Sequence, residues 1–479
     1  MDERSPIDID PEEFRALGHR LVDDLAGLLE RLPELPVTPG ESSEEVRAAL
    51  GEGDLPEHGA APEELLAEAR DLLFEHSLFN GHPRFLGYVI GAPAPLAALA
   101  DLLAAGVNPN LGGYPLAPIA SEIERQTVQW IAELIGYRPD CGGILVSGGN
   151  MANFIGLLAA RRAKAPWVRE HGMGRTPLRL YATEETHTWI DKALDMFGFG
   201  AGGRRLIPVD GSMRMDVRVL RKAIAEDRAA GLQPFVVIAN GGAISTGIVD
   251  PIRELGALCR EEDLWLHVDG AYGAFAAAAP SAPDDLRALA EADSIALDPH
   301  KWLFMPAEAG CALVRSDQDL LDTFDFTPPY YKLGEDELHY YKRGPQNSRG
   351  FRALKVWLSL RHLGREGYAK LIEQNIALAR ELDALVDAAS DLQRGPGGLS
   401  VTNFRYVPDG VESDEEINAL NTEILGRLQT GGEVFISNSL LDGHYWLRSC
   451  IVNFRTTRAD LETLVDVVQR LGTEALARA

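Results

Sequence analysis

Asp298-Pro-His-Lys-Trp-Leu-Phe, residues 298–304, sets a lysine, Lys301, just past the apolar run Ser-Ile-Ala-Leu at 294–297, in a chain that prefers arginine. A lysine at the end of a buried strand loses hydration, which favours its neutral amine and suits covalent chemistry with a carbonyl. An isolated lysine is far more often a surface or ion-paired residue, so its neighbours decide the reading. Five further β-rich runs, at 143–147, 179–183, 235–239, 264–268 and 311–315, alternate with helical patterns. Several are continuously apolar, as expected of strands covered on both faces of a mostly parallel α/β sheet.

In open α/β sheets the ligand sits outside the carboxyl ends of the strands. The run at 143–147 ends in Ser147-Gly148-Gly149-Asn150 and leads into a helical pattern, where small residues let backbone N–H groups approach an anion. The run at 179–183 is followed by His187, and 264–268 by Asp269-Gly-Ala271, whose small residues leave room for a flat group. The run at 294–297 ends in Asp298, with His300 beside Lys301. Each has an ordinary alternative: a tight turn, a core histidine, a helix cap. Together they supply an anion cradle, an aromatic ring, a carboxylate and an amine at one sheet edge, which is what pyridoxal phosphate requires. Lys301 is then the covalent anchor, Asp269 the partner of the ring nitrogen, and His187 and Ala271 the groups on the two ring faces.

With those residues in place, the chain resembles the group II pyridoxal-phosphate-dependent amino-acid decarboxylases, which act on aromatic amino acids, tyrosine and glutamate. Asp298-Pro-His-Lys-Trp is the most specific piece, and His267-Val-Asp-Gly-Ala-Tyr-Gly and Ser147-Gly-Gly-Asn add to it. The resemblance implies a type I, aspartate-aminotransferase-like fold: a mostly parallel seven-stranded sheet with helices on both faces, an N-terminal helical arm and a smaller C-terminal α+β domain. It implies an arm over 1–90, a cofactor domain over 91–374 and a small domain over 375–479. It also implies a homodimer with shared active sites, whose arm wraps the partner subunit.

The same resemblance assigns catalytic roles to Lys301, His187 and Tyr330, the last being a loop tyrosine that returns a proton once carbon dioxide has left; Tyr331 is the register alternative. Ser147, Gly148, Gly149, Asn150, Asp269, Ala271, Asp298 and His300 become cofactor ligands, and Tyr88, Phe85 and Arg349 candidate pocket residues, although Arg349 equally suits a helix cap. Ala243 departs from the family by standing where a threonine is usual, and Val89 and Gly91 replace larger or hydroxylated residues. The expected reaction is decarboxylation of an L-amino acid to its amine, with aromatic substrates favoured. The alternatives are another type I reaction, aminotransfer or carbon–carbon cleavage, and decarboxylation of another non-aromatic or an acidic substrate. The last would need a convergent arginine, for which Arg84 and Arg448 are nominal candidates.

Composition narrows the partners. Asp+Glu 72 against Lys+Arg 46 gives a net charge of −26, which argues against binding a phosphate backbone. Cys141, Cys259, Cys311 and Cys450 are far apart and show no metal-ligand spacing, which fits a reduced cytoplasm. The start, Met-Asp-Glu-Arg-Ser-Pro, has no apolar leader, and the alanine-rich stretch at 94–105 is too short and too interrupted to span a bilayer. Apolar residues at three-to-four spacing predict amphipathic helices over 11–33 and about 62–76, and a long helix from about 375.

Overall fold

The computed structural model describes residues 5, 7–174, 176–327 and 337–478. The central sheet has seven strands: β1 (Gly142–Val146), β2 (Leu178–Ala182), β3 (Arg204–Leu206), β4 (Gln233–Asn240), β5 (Trp265–Asp269), β6 (Ser294–Leu297) and β7 (Gly310–Val314). Their order is β1-β7-β6-β5-β4-β2-β3. All pairings are parallel except those of β7, which runs against both its neighbours. β1 therefore points the same way as β6, and the carboxyl ends of β1, β2, β4, β5 and β6 share one edge.

Apolar runs become such strands because both faces are covered. In β1, Leu145 joins one core while Ile144 and Val146 join the other; in β4, Val237 and Ala239 face the first core and Val236 and Ile238 the second. The period of two is intact, but neither face meets water, so no alternation is visible in the sequence. Six of the seven strands fall within two residues of their predicted positions. The exception is β3, whose Arg-Arg-Leu at the sheet edge is too short and too polar to announce itself.

A four-stranded antiparallel sheet follows: β8 (Leu392–Arg394), β9 (Val401–Tyr406), β10 (Ser437–Leu441) and β11 (His444–Cys450), in the order β10-β11-β9-β8. It packs against helices Asp414–Gly431 and Arg458–Leu476 around its own core. The long helix expected from about 375 begins much earlier, as Ala353–Ala388, with a bend at Gly364 (φ 64°). It therefore crosses position 375 without a break.

At the N-terminal end, Asp10 caps helix Pro11–Arg31 by accepting a hydrogen bond from the Glu12 N–H at 2.8 Å, and Pro11 occupies its first turn. The helix buries no residue. Phe14, Val22 and Leu25 are exposed, while Leu17, Leu21 and Leu28 are half-buried, so the described residues cover its apolar stripe only in part. Helix Pro62–His76 stands where the sequence placed it, joined to the first helix by Arg20–Glu63 and Arg70–Asp24 ion pairs. Helix Ser43–Leu50, between the two, was not anticipated, although Ser42 and Glu45 spell a capping box. No helix among the described residues is long and apolar enough to cross a membrane.

Candidate active site

A cavity of about 370 Å³ opens at the carboxyl edge of the large sheet. Lys301 reaches it from the one-turn helix Pro299–Trp302 that follows β6. Its amine is not bare, as the sequence had suggested: Nζ lies 2.9 Å from Asp298 Oδ2 in an ion pair. The same oxygen is 3.7 Å from His300 Nε2, while His300 Nδ1 lies 2.8 Å from the Ala309 carbonyl oxygen. Asp298 Oδ1 is buried and has no hydrogen-bond partner. Behind Lys301 the chain of residue 91 passes so close that an added Cβ would fall 2.1 Å from the Lys301 carbonyl oxygen. Gly91, one of the departures from the family, is thus fixed by backbone contact and does not widen a pocket.

The anion cradle sits beside the lysine. Gly148 adopts φ +141°, outside the range that side chains favour, and opens helix Gly149–Lys164. A Cβ at Gly149 would come within 2.7 Å of Asp298 Oδ2 and 3.1 Å of Ala271 Cβ. Ser147, Gly148, Gly149 and Asn150 all line the cavity, with the N-terminus of a sixteen-residue helix directed at it.

Asp269 closes β5, in register with Asn240 of β4 and Ala296 of β6. It is 9% exposed and its carboxylate is oriented by two donors: Trp189 Nε1 at 2.7 Å to Oδ2 and the Ala271 N–H at 3.2 Å to Oδ1. Trp189 acts twice, since its backbone N–H also donates to His187 Nδ1 at 3.2 Å. The neutral His187 ring therefore carries its proton on Nε2. Burial holds the His187 pKa below the usual value, Asp269 opposes that, and Lys301 adds to it.

Behind these residues His267 is completely buried, with its pKa pushed down to about 4 by burial. Its Nε2 meets Asn153 Oδ1 at 2.7 Å and its Nδ1 meets Ser294 Oγ at 2.8 Å. The Trp189 ring stands edge-on to His267 at 5.9 Å, so the wall that aims Asp269 is itself packed and hydrogen-bonded.

The cavity thus gathers Lys301, His187, Asp269, Ala271, Asp298 and His300 together with the glycine cradle. The three proposed pocket residues are not among its lining. Phe85 is 2% exposed and stacks on Phe435, with ring centroids 5.4 Å apart, inside a small separate core. Arg349 is buried against Glu124 at 2.5 Å, donates to the Leu145 carbonyl at 2.6 Å and lies over the Tyr340 ring, which makes it a brace for β1. Tyr88 is 48% exposed and tilts against Phe435, while the next residue, Val89, reaches the cavity. Tyr330 and Tyr331 lie outside the described residues.

Sequence reasoning missed Glu185, Asn240, Gly242 and Ile244 in the lining, and Trp189 behind it. Asn240 could have been found, because it closes β4 just as Asp269 closes β5. The arginine candidates resolve differently from expectation. Arg84 donates to the Glu433 carbonyl, and Arg448 to Ser437 Oγ and the Ile244 carbonyl. Among the described residues, no arginine lines the cavity.

These residues fit pyridoxal phosphate on structural grounds: an amine at the cavity floor, a carboxylate with an orphaned oxygen beside it, a second carboxylate held at a strand end, a neutral imidazole, and a cradle closed to side chains. Comparison with known proteins agrees. The profile of the pyridoxal-dependent decarboxylase conserved domain matches residues 44–393. An aromatic-L-amino-acid decarboxylase from Bacillus atrophaeus is 35% identical over 473 residues, 98% of this chain and 97% of that protein. The crystal structure of Oryza sativa TDC with PLP and tryptamine superposes with a TM-score of 0.92 at 23% identity, covering 98% of this chain and 99% of that one. Catharanthus roseus tryptophan decarboxylase in complex with L-tryptophan gives 0.87 at 25% identity, covering 98% of this chain and all (100%) of the other.

Proposed function

The chain belongs to the pyridoxal-dependent decarboxylase family, and on that premise we propose that this carboxy-lyase acts on an aromatic L-amino acid, releasing carbon dioxide and the corresponding arylalkylamine. The observation that carries the reading is the convergence of Lys301, Asp269, His187 and the glycine cradle on one cavity, with no arginine among the described residues of its lining. Among those described residues a distal carboxylate of glutamate or aspartate finds no guanidinium. The relatives named above, one of them crystallised with L-tryptophan, point the same way.

The bound cofactor supplies an electron-withdrawing ring that accepts the electron pair left behind by carbon dioxide. The chain's own residues do the rest. Lys301 would hold the cofactor covalently through its amine. Asp269, aimed by Trp189, keeps a proton on the ring nitrogen and so maintains its pull on electrons. His187, fixed in one tautomer when neutral, would cover one face of the cofactor and exclude water there, with Ala271 toward the other. The helix beginning at Gly149 holds the phosphate without a basic side chain. Tyr330, or Tyr331 in the alternative register, returns the proton to the carbon that lost carbon dioxide.

A homodimer completes this proposal. The uncovered apolar residues of helix Pro11–Arg31 and of helix Pro95–Val107, where Leu99, Leu102, Leu103 and Val107 are all exposed, form faces suited to a second copy. The division into an arm over 1–90, a cofactor domain over 91–374 and a small domain over 375–479 belongs to the same proposal. We assign the enzyme to the cytoplasm, a reading supported by four unpaired cysteines, three of them buried.

The test is incubation of the cofactor-loaded enzyme with a panel of L-amino acids, reading amine by mass spectrometry and carbon dioxide in parallel. Aromatic substrates are expected to give equal amounts of both. Turnover of glutamate or aspartate alone, or conversion of the cofactor to its pyridoxamine form without carbon dioxide, overturns the proposal.

A further inference from the structure

A second cavity, of about 490 Å³, shares no lining residue with the first. Helix Gly149–Lys164 joins the two: it opens at the glycine cradle, and its last turn brings Arg161 and Arg162 to the second cavity. Gly149 and Arg161 stand twelve positions apart, about 18 Å along the axis. Arg169, from the one-turn helix Val168–His171, is the third arginine of the lining, and no aspartate or glutamate is among its described residues. None of the three makes an ion pair with a described residue, in a chain with 72 acidic side chains. Helix capping accounts for part of the cluster. Arg162 Nε and Nη1 donate to the Asp322 and Pro166 carbonyls at 3.1 and 3.3 Å, and Arg169 Nη2 to the Thr323 carbonyl at 2.9 Å, so both meet the closing turn of helix Asp317–Phe324. Carbonyl oxygens orient a guanidinium without neutralising it, and Arg161 caps nothing. Its guanidinium lies 5.9 Å from the Phe199 ring centroid, makes no hydrogen bond with a described residue and is not sealed from solvent.

We propose that this second cavity binds a small organic anion, a phosphate or carboxylate head group carried on an apolar body. Charge is the first argument. Three guanidinium groups on one cavity repel each other, and a bound anion offsets that repulsion where the chain itself supplies no carboxylate. Arginine suits the task because its planar fork meets carboxylate and phosphate oxygens in pairs, and Arg161 has its whole fork unspent. The second argument is the rest of the lining. Phe326 is exposed, with the Arg169 guanidinium 4.5 Å above its ring, and Leu158, Val168, Met173 and Phe324 add apolar surface beside the arginines. A bare inorganic ion would leave that surface wet, whereas an aryl or alkyl group would cover it. The volume lies within the range of about 300–1,000 Å³ usual for small-molecule sites. With a net charge of −26 the chain as a whole repels anions, so this arginine cluster is a local exception. The inference stands apart from the reaction, since the site includes neither Lys301 nor the cradle.

Isothermal titration calorimetry at fixed ionic strength tests the proposal, on holoenzyme whose cofactor has been fixed by borohydride so that the cradle is filled. The probes are inorganic phosphate, phenyl phosphate and phenylacetate. One organic anion is expected to bind per chain, about tenfold tighter than inorganic phosphate, and the tighter of phenyl phosphate and phenylacetate names the head group. Arg161→Gln and Arg169→Gln are each expected to weaken that binding about tenfold while leaving kcat and KM for the best amino acid unchanged. Melting temperatures report whether each variant folds; Arg169 is exposed, so Arg169→Gln decides the matter if Arg161→Gln does not fold. Absence of saturable binding of either organic anion up to about 10 mM overturns the proposal. So does wild-type affinity in either folded variant, which would place the anion elsewhere. Inorganic phosphate that binds as tightly as both organic anions overturns it too, since the apolar wall would then contribute nothing.

Discussion

Two ion pairs flank the cofactor edge of the large sheet, and they differ in what surrounds them. Lys301–Asp298 lines a cavity and leaves Asp298 Oδ1 without a partner. Arg349–Glu124 is sealed, with side chains 1% and 0% exposed, and Glu124 also accepts from the Leu145 N–H at 2.9 Å while Arg349 donates to the Leu145 carbonyl. The second pair fastens β1 from outside the sheet; the first holds an amine at its open end. Charge at a strand end is therefore a poor guide to chemistry on its own. Both pairs leave buried polar atoms without partners, Glu124 Oε2, Arg349 Nε and Arg349 Nη1 in the sealed one, so what separates them is whether the pair faces a cavity.

Lys301→Ala tests the first pair and carries the largest expected effect: amine formation falls on the order of 10⁴-fold, as for loss of a covalent catalytic group, and the borohydride-reducible adduct disappears. Retention of a reducible adduct breaks the assignment. Arg349→Leu tests the second. It leaves Glu124 buried and uncompensated, so the expected loss is about 3–5 kcal/mol of stability by denaturant unfolding, with KM little changed in the protein that folds. Restoring much of that stability by adding Glu124→Gln would sharpen the distinction, whereas a stable Arg349→Leu enzyme with a raised KM would move Arg349 back to the substrate. Trp189→Phe gives the smallest change: it removes one hydrogen bond to the Asp269 carboxylate and keeps the ring. We expect about a tenfold loss in kcat with a shifted cofactor absorbance spectrum and a modest fall in melting temperature, since the smaller ring leaves a gap at a fully buried position. An unaltered spectrum and kcat would show that Asp269 needs no aiming.

The sequence disclosed the sheet edge well because strand ends are local: Asp269, Asp298, Lys301 and the Ser147–Asn150 turn each follow an apolar run directly. It disclosed less wherever the deciding partner is remote. Arg349 was read as a pocket candidate because Glu124, 225 residues away, gives no sign in the local pattern. Phe85 was misplaced for the same reason, its partner Phe435 belonging to the small domain's side of the molecule. Trp189 looked like an ordinary helix residue two positions after a histidine, and only the fold brings its indole to Asp269. Strand β3 and helix Ser43–Leu50 were lost to brevity, the first without an apolar signal and the second despite a legible cap.

The helix Ala353–Ala388 has a bearing on how the molecule comes apart. Val356 and Leu360 belong to the core of the large sheet, while Leu382 and Val386 belong to the core of the small one. Peeling the two sheets apart means stripping one half of this rod of its packing, so each core is a share of the other's cooperativity. The bend at Gly364 lets a single element serve two surfaces of different orientation, and heat or denaturant meets a body whose parts are inclined to fail together.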